Sequence, residues 1–219
     1  MGTTLLVTGA AGALGRAVVA RLVRDGHAVT AIDVAEAPPE SGEERYIGGI
    51  DLTDGDAVQR ALSGLALQGL VNIAGGFTWE ALGDGDPRNW DRMFRINLLT
   101  AVTCCHAALP SLRACRGAIV NVGAAASLRA GAGMGAYAAS KSGIARLTES
   151  LAEEEKDSGV RVNAVLPSII DTPANRTDMP DADHDRWVAP DALAGVIAFL
   201  LSADARAVTG ALLPVTGRV

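Results

Sequence analysis

The residues of this chain best suited to proton chemistry are Tyr137 and Lys141, in the run Tyr137-Ala138-Ala139-Ser140-Lys141. At this spacing they share one face of a helix and their side chains are neighbours. An ammonium beside a phenol favours the phenolate. The pair therefore predicts a Tyr137 pKa pulled down from about 10 toward neutrality. Such a phenol could give and take a proton near physiological pH. The same spacing also arises by chance in many helices, so its meaning depends on what lies upstream.

Upstream, Thr3 to Thr8 is a short β-branched run that reads as a buried strand. It enters Gly9-Ala10-Ala11-Gly12-Ala13-Leu14-Gly15 and then a helical run, Arg16 to Arg24. Strand, glycine turn and helix together are the context in which such a motif binds a dinucleotide. Gly9 permits the turn, Gly12 lets backbone approach a pyrophosphate, and Gly15 lets the helix sit close on the sheet. The first N–H groups of the helix then bind phosphate. Residues 27–33 form a second strand ending in Asp33, 18 residues past Gly15. That is close to the ~20 expected for a carboxylate on the ribose hydroxyls. A carboxylate there repels a 2′-phosphate, and no Arg or Lys follows directly. NAD(H) is favoured, with NADP(H) the alternative. Residues 34–44 read as an acidic surface loop and Tyr46 to Ile50 as a third strand. Asp51 ends that strand where an adenine amino group could lie, and Asp54 can cap a helix over 55–63.

The second half supplies the reacting end. Gln68 to Ala74 reads as a strand running into Gly75-Gly76, where backbone must pass close to a ligand. Phe77 and Trp79 follow; they either stack on a flat substrate or fill a loop core. A long helix is predicted over 87–113, beginning near Pro87. Asn97 lies within its apolar stripes, where an amide is costly unless bonded. Cys104, Cys105 and His106 read as packing residues rather than ligands. Ala118 to Val122 is a strand, 123–135 a loop of small residues, and the helix carrying Tyr137 runs to about Lys156. Val160 to Leu166 is a strand ended by Pro167. Residues 167–189 form a long loop of the kind that is usually functional. A helix over 189–202 and a strand over 211–215 finish the chain.

Residues 1–219 thus read as one domain. The alternation of strands and helices predicts an α/β Rossmann fold: a doubly wound parallel sheet of about seven strands with helices on both faces. The net charge of −6, without a Lys/Arg cluster, argues against a nucleic-acid surface. Cys104, Cys105 and Cys115 have no metal-like spacing and are odd in number. They read as buried thiols in a reducing compartment, and no metal site is expected. The start lacks a basic n-region and cleavage site, and no apolar run reaches the ~18 residues of a spanning helix. The expectation is a soluble cytoplasmic protein that contacts neither membrane nor nucleic acid.

In this order, Thr8-Gly9 to Gly15, Asp33, Asp51, Asn72-Ile73-Ala74-Gly75, Asn97, Tyr137/Lys141 and Asn163 to Thr172 resemble the short-chain dehydrogenase/reductase family. The likeness covers nearly the whole chain. It implies an NAD(P)-dependent oxidoreductase that moves a hydride between nicotinamide and a small carbonyl, alcohol or imine. Tyr137 would be the acid/base. Lys141 would hold the nicotinamide ribose and lower the tyrosine pKa. Asn97 would support a water linking the lysine to solvent. Gly9, Gly12, Leu14, Gly15, Asp33, Asp51, Leu52, Asn72, Ala74, Gly75, Pro167, Ile170 and Thr172 would line the cofactor. The helices 87–113 and 137–156 resemble a dimer-forming pair, implying a homodimer or homotetramer.

Three positions depart from the family's pattern. Ala124 stands where a serine usually bonds the substrate oxygen, thirteen residues before Tyr137; Ser127 is nearby as a possible substitute. The glycines fall at 9, 12 and 15, with Ala13 where the usual middle glycine lies. Ser168, not glycine, follows Pro167. The lost serine, the Ala-Gly-Gly-aromatic run at 74–77 and the loop after Pro167 resemble the dihydropteridine reductase subgroup. In that reading Phe77, Trp79 and Trp187 would flank a flat ring. The alternatives are a 3-oxoacyl-thioester reductase and a catalytically weak NAD(H)-binding redox sensor.

Overall fold

The structure is a computed structural model, and it describes residues 4–36 and 45–219. Thr3 and residues 37–44 of the expected acidic loop lie outside the described residues. Seven parallel strands form one sheet in the order β3-β2-β1-β4-β5-β6-β7. They are β1 Thr4–Thr8, β2 Ala28–Ile32, β3 Arg45–Ile47, β4 Gly69–Asn72, β5 Ala118–Val122, β6 Arg161–Pro167 and β7 Leu212–Val215. The helices are α1 Ala13–Arg24, α2 Gly55–Leu62, α3 Arg88–Phe94, α4 Thr100–Cys115, α5 Gly135–Glu154, α6 Pro173–Asp178 and α7 Pro190–Leu201. The strand order reverses between β1 and β4, and a doubly wound sheet binds ligands at that crevice.

The alternation of side chains along each strand builds two cores. Leu5 and Val7 of β1 face α1 and α7, where they pack with Val18, Leu22, Leu193 and Ile197. Leu6, between them, faces the opposite way and joins Val58, Leu62, Cys105, Leu112 and Leu151 from α2, α4 and α5. Asp54 caps α2 as expected, its Oδ1 accepting from the N–H of Asp56 and Ala57. The ends of α4 and α5 are stapled by Glu155. Its carboxylate is buried and accepts from Arg113 Nε at 2.9 Å and from Ser158 Oγ at 2.7 Å. The Arg113 hydrogen bond, foremost, holds that carboxyl below its ordinary range.

Several expectations need correction. The helix predicted over 87–113 is α3 and α4 joined by a π-helical turn, Arg95–Leu99. Averaged over a window of this run, Arg88–Cys115 is long and apolar enough by composition to cross a bilayer, with a mean hydropathy of 1.3. No unbroken apolar run of that length lies within it, and its inner face packs on the sheet. The loop 167–189 contains α6, capped by Thr172 Oγ1 on Asn175 N with Pro173 in the first turn. Cys104 and Cys105 are buried, and burial pushes both thiols up to about 12. Cys115, the last residue of α4, is exposed, because the helix ends there. His106 also faces outward rather than packing in the core.

Candidate active site

The glycine turn is shaped for a phosphate. Gly9 adopts a left-handed φ of +64°, and a Cβ there would meet Ala74 N at 2.8 Å. A Cβ on Gly15 would overlap the Gly9 carbonyl oxygen, so only glycine lets α1 close onto the turn. Gly12, at the start of α1, has no side-chain cap, and the first turn carries no acidic residue. The first N–H groups of a helix have no partner within it and carry its positive pole. This cradle fits the pyrophosphate of a nicotinamide dinucleotide. Asp33 borders it: Oδ2 accepts from Ala11 N at 2.9 Å and Oδ1 from Ala35 N at 3.1 Å. Asp51 is exposed, with Oδ1 accepting from Thr53 N, and that hydrogen bond is the main reason its carboxyl sits below the ordinary range. Leu14 and Leu52 bury their side chains in the two cores, leaving backbone for any ligand.

The family pattern includes Thr8, but the sequence assigns its hydroxyl no role. Thr8 is buried, and its Oγ1 accepts from both Ile73 N and Ala74 N, at 3.0 and 3.2 Å. It ties the glycine turn to the end of β4. A hydroxyl at the last position of a buried strand is the signal that could have found it.

The expected catalytic residues gather where β4, the π-helical turn and α5 meet. The π turn aims Asn97 inward, where it is 1% exposed. Its Oδ1 accepts from Gly76 N at 2.9 Å, and its Nδ2 donates to Gly76 O at 3.0 Å and to Ser140 Oγ at 3.1 Å. Ser140 in turn donates to the carbonyl of Tyr137 at 2.7 Å. Lys141 is 5% exposed and donates to Val122 O at 2.9 Å. An ammonium has three donors, so two stay available to a ligand. A Cβ on Gly75 would overlap Asn97 Oδ1 and lie 3.4 Å from Lys141 Nζ; the gap between those groups exists because residue 75 is glycine.

The expected fall in the Tyr137 pKa is not seen in the protein alone. Burial pushes the phenol up to about 12, and burial also pulls the Lys141 ammonium down to about 8. Helical spacing makes the two side chains neighbours. It did not reveal that the ammonium turns to the Val122 carbonyl, nor that both groups lose their water. Asn72 also departs from its expected place beside the cofactor. Its Nδ2 donates to Asn121 Oδ1 and Cys105 Sγ inside the core, and its buried Oδ1 has no protein partner.

Phe77 and Trp79, expected either at a substrate or in a loop core, are 52% and 63% exposed. The Phe77 ring meets Tyr137 edge-to-face, with centroids 5.0 Å apart. Trp79 lies on Gly133, and the Glu80 N–H donates to the Gly133 carbonyl, which fastens the loops after β4 and β5 together. Ala124 is buried, with no hydroxyl to offer. Ser127 does not present one in its stead, since its Oγ donates to Ala124 O at 2.7 Å. Trp187 is 8% exposed and packs against His184, so it forms wall rather than a free stacking face. Ile170 bridges to Val188, and Thr172 is used as the α6 cap. A cavity of about 280 Å³ lies beyond Trp79, lined in part by Glu80, Asn89 and Trp90, but neither Tyr137 nor Lys141 reaches it. Among the described residues no cluster of His, Cys, Asp and Glu could hold a metal.

Comparison with known proteins agrees with this geometry. The family model for short chain dehydrogenases matches residues 3–183. The chain is 32% identical to a (3R)-3-hydroxyacyl-CoA dehydrogenase of Rattus norvegicus, covering 97% of this chain and 94% of that protein. It is 35% identical to protein FixR of Bradyrhizobium diazoefficiens, over 97% and 85% of the two chains. Among solved structures, a short-chain dehydrogenase/reductase family oxidoreductase from Burkholderia thailandensis superposes with a TM-score of 0.91 at 32% identity, covering 99% and 92%. The ligand-free aldohexose dehydrogenase of Thermoplasma acidophilum gives 0.90 at 26% identity, covering 99% and 93%. The glycine cradle, the Asn97–Lys141 convergence and these matches together place the chain in the short-chain dehydrogenase/reductase family, as an NAD(P)-dependent oxidoreductase.

Proposed function

We propose that the protein is an NAD(H)-preferring reductase or dehydrogenase acting between a small alcohol and its carbonyl, or between an amine and its imine. The observation that carries this reading is the convergence of Asn97 and Lys141 on Gly75, next to the helix turn that holds Tyr137. The nicotinamide, when bound, supplies the hydride to the substrate carbon or takes it back. In the reducing direction Tyr137 gives its phenolic proton to the substrate oxygen or nitrogen. In the oxidising direction the phenolate takes that proton. The two remaining Lys141 donors would hold the nicotinamide ribose. Ile170 and Thr172 would face the nicotinamide amide and phosphate, and Asp33 would bond the adenosine ribose hydroxyls.

Ala124 favours a second, narrower reading: a substrate already polarised, such as a protonated or electron-poor imine. Such a C=N bond needs no second hydroxyl to stabilise developing negative charge. Exposed Trp90, Phe94 and Val102 on α3 and α4 support assembly as a homodimer through these helices. The buried free thiols of Cys104 and Cys105 suit a reducing compartment.

The test is Tyr137→Phe, assayed by NADH oxidation against ketones, quinones, cyclic imines and quinonoid dihydropterin. General acid catalysis of this kind contributes about 10²–10⁴-fold. The variant should lose turnover on that scale while still binding NADH. Full turnover in the variant refutes the role of Tyr137. Tight NADH binding by the wild type with no turnover on any substrate favours a redox sensor instead.

A further inference from the structure

One departure in the sequence is left unused by the chemistry above: Ser168, at the root of the loop carrying Ile170 and Thr172. Its surroundings are specific. Ser168 N donates to Val215 O at 3.2 Å, and Ser168 Oγ donates to Thr216 O at 2.8 Å. Two residues further along the tail, Arg218 N donates to Arg186 O, and Arg186 Nε donates back to Arg218 O, each at 2.9 Å. Arg218 Nη2 adds a bond to Asp185 O at 2.7 Å. Between these contacts Gly217 has a φ of +60°, and a Cβ there would meet Arg186 O at 2.7 Å. The tail therefore grips the loop at both ends, at Ser168 where it leaves β6 and at Asp185–Arg186 just before it returns to α7.

The neck between these grips is closed by backbone bonds. Val188 N donates to Ile169 O and Asp171 N to Val188 O, both at 2.9 Å. Asn175 Nδ2 donates to Ile170 O at 2.8 Å, and Arg176 forms a fork on the Asp171 carboxylate. Residues 169–172 are thus held in one shape by partners within the loop, and the tail fixes the segments on either side of it, at Ser168 and at Asp185–Arg186. Every one of these bonds is made by the protein alone. A segment ordered in advance spares a ligand the cost of ordering it.

We infer that Ser168 and the tail residues Thr216–Arg218 form a brace that sets the nicotinamide-side backbone in its binding shape before the cofactor arrives, making Ser168 a positioning residue for cofactor affinity. This rests on the proposed function only in taking residues 170–172 as facing the nicotinamide. The hydroxyl is the part of Ser168 that matters. Its backbone N–H bond to Val215 survives any substitution except proline, whereas the bond to Thr216 is lost in alanine or glycine.

The experiment uses the full chain with Ser168→Ala, Ser168→Gly and Gly217→Ala. Amide hydrogen exchange is followed over 169–188 without ligand, and NADH affinity is measured by fluorescence. Exchange across 169–188 should speed up about tenfold in all three variants, with the rest of the sheet unchanged. NADH binding should weaken about fivefold in Ser168→Ala, the effect of one hydrogen bond. In steady state the loss should fall on KM for NADH rather than on kcat, a split that a general loss of stability would not produce. Wild-type exchange in both Ser168 variants overturns the brace. Faster exchange with NADH affinity within 1.5-fold of wild type overturns its role in positioning. If the wild type binds no NADH at all, the proposed function fails, while the exchange arm still decides the brace.

Discussion

Gly75→Ala is the sharpest test of how the reacting end is built. The backbone at Gly75 is not left-handed, so alanine meets no penalty of conformation. Its Cβ would overlap Asn97 Oδ1 by more than roughly half an ångström of van der Waals contact and come into ordinary contact with Lys141 Nζ. Asn97 cannot retreat freely, because its amide is 1% exposed and bonded to Gly76 N, Gly76 O and Ser140 Oγ. Moving it breaks two of these bonds and leaves buried groups unpaired, at a cost of about 2–3 kcal/mol. For a chain of this size that lowers Tm by roughly 5–10 °C. A displacement of about an ångström in a reacting site also costs about 100-fold in turnover. Gly76→Ala is the matched control. Its Cβ meets only Ile96 Cδ1, at 3.0 Å, the tip of a flexible side chain that can turn aside. Thermal unfolding and NADH-dependent turnover of the two variants, side by side, give the answer. Wild-type Tm and turnover in Gly75→Ala, or equal damage in Gly76→Ala, would show that this close approach is not what holds Asn97 and Lys141 in place.

Other outcomes follow from the same geometry. Lys141 has its pKa lowered by burial from 10.5 to about 8, so between those values the unfolded chain binds more protons than the folded one. Stability should then rise with pH from about 8 toward 10, and Lys141→Met should lose that slope in denaturant titrations. The opposing contribution of Tyr137 begins only above its ordinary 10.0, so parallel pH curves for the two proteins would contradict the burial argument. Asp33→Ser removes the charge that repels a 2′-phosphate and should shift the NADPH-to-NADH affinity ratio upward by at least about tenfold. A wild-type protein that already prefers NADPH would refute that assignment. Ala124→Ser restores a donor at the substrate oxygen and should raise ketone reduction by about 10²-fold while leaving imine reduction little changed. Equal gains on both substrates would remove the case for an imine.

Much of this was legible in the residues. The glycine spacing, Asp33 and the buried strands specify the sheet and cradle, because each depends on local backbone geometry and a period of two. Asp54 announces its helix for the same local reason. The π turn at Arg95–Leu99 was not legible: Arg-Ile-Asn-Leu-Leu reads as ordinary helix, and the extra residue in the turn is held by tertiary contacts of Asn97. The Tyr137 pKa was misjudged because spacing reports proximity and not desolvation. The family resemblance puts Asn72 at the cofactor, yet its side chain turns into the core toward Asn121, a contact 49 residues away that no local pattern announces. The small helix α6 could have been found, since Thr172-Pro173 is a cap followed by a first-turn proline.

The Thr8 hydroxyl carries a consequence for how a two-part ligand is received. One oxygen pins the backbone that greets the diphosphate to the strand end that leads into Gly75. The glycine turn and the strand end before Gly75 thus share one bolt, so a shift of either strains the same pair of amide hydrogen bonds. Replacing that hydroxyl by a methyl group alone would cut the glycine turn and the approach to Gly75 loose from each other at two amides at once.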